Sequence, residues 1–242
     1  MKARFSALMA PTGRLRDLDV YLLEQRSFFD LVPSTMHAGL EGMFTLLDER
    51  RANEQASLAD HFRGERYRKD IKALAKLFGK RHKLAPGPNA RRGSYDFACE
   101  LIWKRYRRIR RIAASLTTET PDDDVHALRI ECKKLRYLME FFAPVFPQDA
   151  FRRILKPLKK LQDSLGLFND CAVQQTALTA FADSLGDEPR KLEIAQSVGA
   201  LVLVLHRQQA AERERTVAAF AHFNSDRVQR TFRQLFHDGK EA

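Results

Sequence analysis

The chain has 242 residues, 44% of them hydrophobic, enough to bury a core as one helical domain or two small ones packed together. Its 42 Lys and Arg outnumber 31 Asp and Glu for a formal net charge of +11, which favours an anionic partner: nucleic acid, an anionic membrane surface or a phosphate polymer. No apolar run approaches the ~20 residues of a membrane span, and the widely spaced Cys99, Cys132 and Cys171 form no C-x-x-C pair of the zinc or redox kind.

Glycines and prolines fall mostly between periodic segments, and no run of alternating β-branched residues appears, so the fold class is all-α. Helices are expected over 3–30, 34–60, 64–79, 94–117, 123–143, 149–183, 188–222 and 225–237. The apolar stretch after Lys2 and Arg4 stops at Pro11, too short for a secretory signal. With reduced, partly buried thiols, this predicts a cytoplasmic protein that does not engage a membrane. Pro86, Gly87, Pro88 and Gly93 make the stretch Lys80 to Gly93 the best linker. It divides the chain into a first helical repeat (1–80), a linker (81–93) and a second repeat (94–242).

In the 94–117 helix, Lys104, Arg107, Arg108 and Arg111 occupy one side and Leu101, Ile102, Ile109 and Ile112 another. The interleaved Trp103 and Tyr106 suit stacking on RNA bases, although aromatics at helical spacing are more often packing residues. The next helix carries HALRIECKKLRY, His126 to Tyr137. At about 100° per residue, His126, Arg129, Lys133 and Arg136 fall within an arc of roughly 80°. Leu128, Leu135, Leu138, Met139 and Phe142 gather opposite. The result is a core face backed by a row of donors ~15 Å long, better suited to an extended polyanion than to one phosphate. Asp122, Asp123 and Asp124 read as a helix-start cluster.

In the 149–183 helix, Leu158, Leu161, Leu165, Phe168 and Ala172 form the core stripe, with Lys156, Lys159, Lys160, Asp163 and Asp170 on the far side. Its carboxylates are placed to hold basic side chains of a facing helix in fixed rotamers, or are ordinary surface ion pairs. Pro157 is expected to kink this helix.

The two halves repeat. Gly13 to Val20 reads against Gly166 to Val173, each placing Asp four residues after Gly and Val three further on. Phe62, Arg66-Tyr67, Ile71 and Leu74 read against Phe223, Arg227-Val228, Phe232 and Leu235. Nothing in the first half matches the His126 helix. The expectation is a first repeat lacking its N-terminal helix, with apolar side chains left uncovered. That predicts either a homodimer through the exposed face or a longer parent protein with a misplaced start.

Catalytic patterns are absent: no G-x-x-x-x-G-K-[ST] loop, no H-E-x-x-H, no Ser or Cys nucleophile motif, and no histidine pair at i, i+4. No cofactor, metal site or catalytic residue is expected. A metal-dependent phosphohydrolase would need clustered carboxylates, which only Asp17 with Asp19, or Asp122 to Asp124, begin to supply.

The motif H-x-x-R-x-x-x-K-K-x-R-Y at His126 to Tyr137, followed by L-K-K-L-Q-D-S-L-G-x-x-N-D at Leu158 to Asp170, closely resembles the CHAD family, the conserved histidine α-helical domain. Arg16 to Val20, R-D-L-D-V, resembles that family's counterpart in its first repeat, and the likeness extends over essentially the whole chain. The resemblance implies two four-helix bundles related by pseudo-two-fold symmetry, with a basic groove between them that binds inorganic polyphosphate without catalysis. It assigns ligand contacts to His126, Arg129, Lys133, Lys134, Arg136, Lys159 and Lys160, with Arg66 and Arg227 from later helices. Asn169 and Asp170 take the family's polar pair, matched by Arg16 and Asp17. Together with Lys156 from the helix pattern, these residues form the expected polyphosphate site; Asp17, Asp163, Asn169 and Asp170 are expected to orient it. His126 adds a donor whose charge depends on pH. The rival readings are a helical RNA- or DNA-binding protein and, less favoured, the phosphohydrolase. Association with polyphosphate granules follows from the first reading alone.

Overall fold

The computed structural model describes residues 2–79 and 86–238, and among them every regular element is a helix. The helices are α1 Lys2–Met9, α2 Gly13–Leu23, α3 Gln25–Asp30, α4 His37–Arg63 and α5 Glu65–Gly79, then α6 Ser94–Ile112, α7 Asp122–Phe142, α8 Gln148–Asp183, α9 Lys191–Phe223 and α10 Asp226–Phe236. The all-α expectation is met. None of the described helices is long and apolar enough to cross a membrane.

Expected boundaries hold to a few residues except at the start. The segment 3–30 is three helices, not one. Pro11 lies in a short 3-10 turn between α1 and α2, where its missing N–H removes an α-helical bond. Glu24 leaves helical geometry between α2 and α3. Conversely, α8 runs on through Pro157 as one helix. Pro157 is buried among core positions, and packing on that face offsets the lost bond. Of the expected linker, residues 80–85 lie outside the described residues, and Asn89 to Arg92 form a turn.

The chain divides into two compact units, residues 1–87 with 177–204, and residues 88–176 with 205–242. These differ from the two sequence halves because the breaks at 176 and 204 fall inside α8 and α9. Each supplies one stretch to each unit.

In the first unit, Phe28, Leu40, Met43, Phe44, Leu47, Phe181, Ile194, Val198 and Leu201 make the core. α4 lies against the start of α9 at Gly39, where a Cβ would collide with the Glu193 carbonyl and Ser197 Oγ. Ser197 Oγ donates to the Met36 carbonyl at 2.8 Å and Arg190 Nη2 to the Ala38 carbonyl at 2.6 Å, tying the two helices. Gly186 takes a positive φ of 53° in the turn from α8 to α9, a conformation other residues adopt only with strain. Leu23 of α2 is 86% exposed.

In the second unit, Ile102, Tyr106 and Ile109 of α6 pack with Leu128, Cys132, Leu135 and Met139 of α7, and Leu158, Leu161, Leu165 and Phe168 of α8. Phe223, Phe232 and Phe236 close the core. The periodic leucines of α7 and α8 are therefore buried, which leaves their charged faces outward.

A candidate polyanion-binding face

The outward face of the second unit is built by α7 and α8 lying antiparallel, a direction fixed by three cross-helix contacts. His126 Nδ1 lies 2.6 Å from Asn169 Oδ1, Arg129 Nη2 lies 3.9 Å from Asp170 Oδ1, and Glu140 Oε1 reaches Lys159 Nζ at 3.4 Å. The start of α7 thus meets Asn169 and Asp170 late in α8, and its end meets Lys159 earlier in α8.

Each contact orders a cation without burying it fully. An amide oxygen can only accept, so His126 Nδ1 carries the proton toward Asn169. Asn169 Nδ2 in turn donates to Asp170 Oδ1 at 3.5 Å, which fixes the amide's orientation. Glu140 also lies 3.9 Å from Arg136 Nε, and Arg136 and Lys133 sit 5.6 and 5.8 Å from the exposed Tyr137 ring. The buried Arg136 Nε donates no hydrogen bond among the described residues.

His126, Lys133, Lys156, Lys159 and Lys160 are exposed, and Arg129 and Arg136 half-buried, with their stems against the helix surface. Expected contacts are thus brought together at His126, Arg129, Lys133, Arg136 and Lys159, with Asn169 and Asp170 as the orienting pair. Lys156 and Lys160 share the exposed face of α8. Asp163 is exposed and forms no ion pair among the described residues. The orienting carboxylate at that end is Glu140, which the pattern of basic residues did not single out.

Lys134 stands apart from this row. Its Nζ lies 3.1 Å from Glu131 Oε1, and the other Glu131 oxygen takes Arg105 of α6, with Arg108 Nε at 3.6 Å. Glu131 is only 4% exposed. Burial pushes its pKa up, but hydrogen bonds from Arg105 and Lys134 and their charges pull it down further, so the net shift is below the ordinary value. Lys134 therefore faces α6, about 100° round α7 from Lys133. Beside it lies an open cleft of about 770 Å³ lined by Lys104, Arg105, Arg107, Arg108 and Arg111 over Leu101, Ile112 and Leu138.

Arg16 and Asp17 of α2 and Arg66 of α5 are exposed in the first unit; Arg227 is exposed near the start of α10. In the R-D-L-D-V motif the ordered pair is Asp19 with Arg51 Nε of α4, at 2.8 Å. Asp17 lines a cleft with Arg14 and Arg50. Asp122 caps no helix through its side chain; it pairs with Arg213 and accepts Gln209 Nε2 at 2.7 Å.

Tyr106 is 1% exposed and stacks on Phe232, with ring centroids 3.8 Å apart. Trp103 packs on Tyr106 and His237. Tyr106 is thus a core residue and no platform for bases. All three cysteines are buried thiols, as expected, and burial pushes the pKa of Cys132 and Cys171 up, which keeps both protonated. The described residues contain no group of three His, Cys, Asp or Glu suited to a metal ion.

The fold and this face define an all-α protein that presents a row of cations, ordered by carboxylates, on paired antiparallel helices. The chain is a member of the CHAD domain family, whose model matches residues 1–179. Both motif helices lie inside that stretch, while residues 180–242, with Arg227, lie beyond it. No curated protein matches the sequence.

Proposed function

We propose that the chain is a non-catalytic binding module for inorganic polyphosphate, with the α7–α8 face as its principal contact surface. The observation that carries this reading is the pairing of two cationic rows from antiparallel helices, held in register by His126–Asn169, Arg129–Asp170 and Glu140 with Lys159. Exposed ion pairs are worth roughly 0.2–1 kcal/mol each. Tight binding therefore requires a ligand that meets many cations at once, a polymer rather than a single phosphate. Membership of the CHAD family supports the same ligand.

Arginines 129 and 136 offer forked, bidentate donors to phosphate oxygens, and Lys133, Lys156, Lys159 and Lys160 act as compact charges between them. The carboxylates and Asn169 fix rotamers before the ligand arrives, which lowers the ordering cost of binding. Arg16, Arg66, Arg227 and Lys134 belong to the same reading as additional phosphate contacts. A cytoplasmic location with association to polyphosphate granules follows from that ligand.

The test is competition at fixed salt, displacing labelled long-chain polyphosphate with unlabelled polyphosphate, single-stranded RNA and double-stranded DNA matched in charge concentration. Polyphosphate is expected to compete far better than either nucleic acid. Equal competition by all three would reduce the face to a generic cationic surface.

A further inference from the structure

We infer that α6 carries a second binding lane for the same polyanion, joined to the first through Glu131; the inference rests on the polyphosphate reading above. Five cations and no carboxylate line the α6 cleft. Lys104, Arg107, Arg108 and Arg111 recur every three or four residues, a ridge ~10 Å long at 1.5 Å per residue. A solvated helix face of ordinary composition intersperses acids at this spacing, and this one does not.

The feature that makes a lane of this ridge is the Glu131 node. One buried carboxylate takes Arg105 and Arg108 from α6 and Lys134 from α7. Three cations on a single carboxylate leave an uncompensated positive charge at the seam between the helices. A phosphate oxygen placed there would meet donors from both. Lys133, adjacent to Lys134, belongs to the α7–α8 row, so the node lies between the two cationic surfaces. A polymer longer than the α7 row would run across the seam onto α6, the second segment binding at the high effective concentration set by the first. The floor of the cleft is apolar, at Leu101, Ile112 and Leu138.

The experiment compares wild type with Lys104→Ala/Arg107→Ala/Arg111→Ala, three exposed positions outside the Glu131 node. Alanine is the best helix former, so α6 should persist, which circular dichroism checks. Affinity is measured for an oligophosphate no longer than ~15 Å and for a polymer several times longer. The triple variant is expected to lose about tenfold or more in affinity for the long polymer and little for the short one, with a shallower salt dependence. Equal losses for both lengths, or no loss for the long one, would overturn the second lane and leave the α7–α8 face intact. If wild type binds neither ligand, the polyphosphate reading itself fails and the lane with it.

Discussion

His126 and Asn169 are 43 residues apart in the chain and 2.6 Å apart in space, ring nitrogen to amide oxygen. Because the amide oxygen only accepts, the neutral imidazole is held as the Nδ1–H tautomer, and Nε2 is the remaining site for a proton. The bond holds the ring in one orientation next to Arg129. Asn169→Leu should free the ring and weaken binding of long-chain polyphosphate several-fold in titrations at constant ionic strength. An affinity equal to that of wild type would show that the ordering of His126 by Asn169 does not contribute.

Glu131 makes a separate, structural prediction. Its folded pKa lies below the ordinary value of 4.5. A depressed carboxylate stabilises the fold fully above its unfolded value and progressively less as pH falls through the folded one. The node should therefore hold at neutral pH and loosen below about pH 4.5. Glu131→Gln should cost about 1–3 kcal/mol at neutral pH, with a smaller cost in acid. Thermal unfolding across pH measures both; a constant difference would show that the charge of Glu131 is irrelevant.

The first unit offers a contrast between two glycines. At Gly39 a Cβ would strike the Glu193 carbonyl, a backbone atom that cannot swing away. Gly39→Ala should destabilise by about 1–3 kcal/mol. Gly199, within α9, has nothing within 4 Å of an added Cβ. Gly199→Ala should stabilise by about 0.5–1 kcal/mol. Hydrogen exchange of α4 and α9 amides would register the opposite signs; two effects of the same sign would mean that α4 and α9 do not approach as described.

Much of this face is legible in the sequence because helical periodicity forces it. Leu128, Leu135 and Met139 claim the core side of α7, so His126, Arg129, Lys133 and Arg136 must face away. The all-α class is legible for the same reason. Spacing says little about which acid orders which base. Glu131 stands three residues before Lys134 on the core-facing side of its helix and pairs with it; Asp163 stands three residues after Lys160 and forms no ion pair among the described residues. Glu140 is not legible in this way because its partner Lys159 stands on another helix, beyond what spacing along α7 can show. The long reach of α8 and α9 across two compact units has no local signature, since each turn of those helices reads alike. The break at Pro11 was local, and an otherwise helical pattern on both sides concealed it.

The central claim is that the α7 row itself holds the phosphate polymer. Calorimetric titration of long-chain polyphosphate into wild type and Arg129→Ala/Arg136→Ala, with helicity checked by circular dichroism, tests it most directly. Loss of two forked donors at an ordered site should cost about 2–4 kcal/mol, roughly thirtyfold or more in affinity, with unchanged helicity. An affinity equal to that of wild type would contradict the assignment of this face as the binding site.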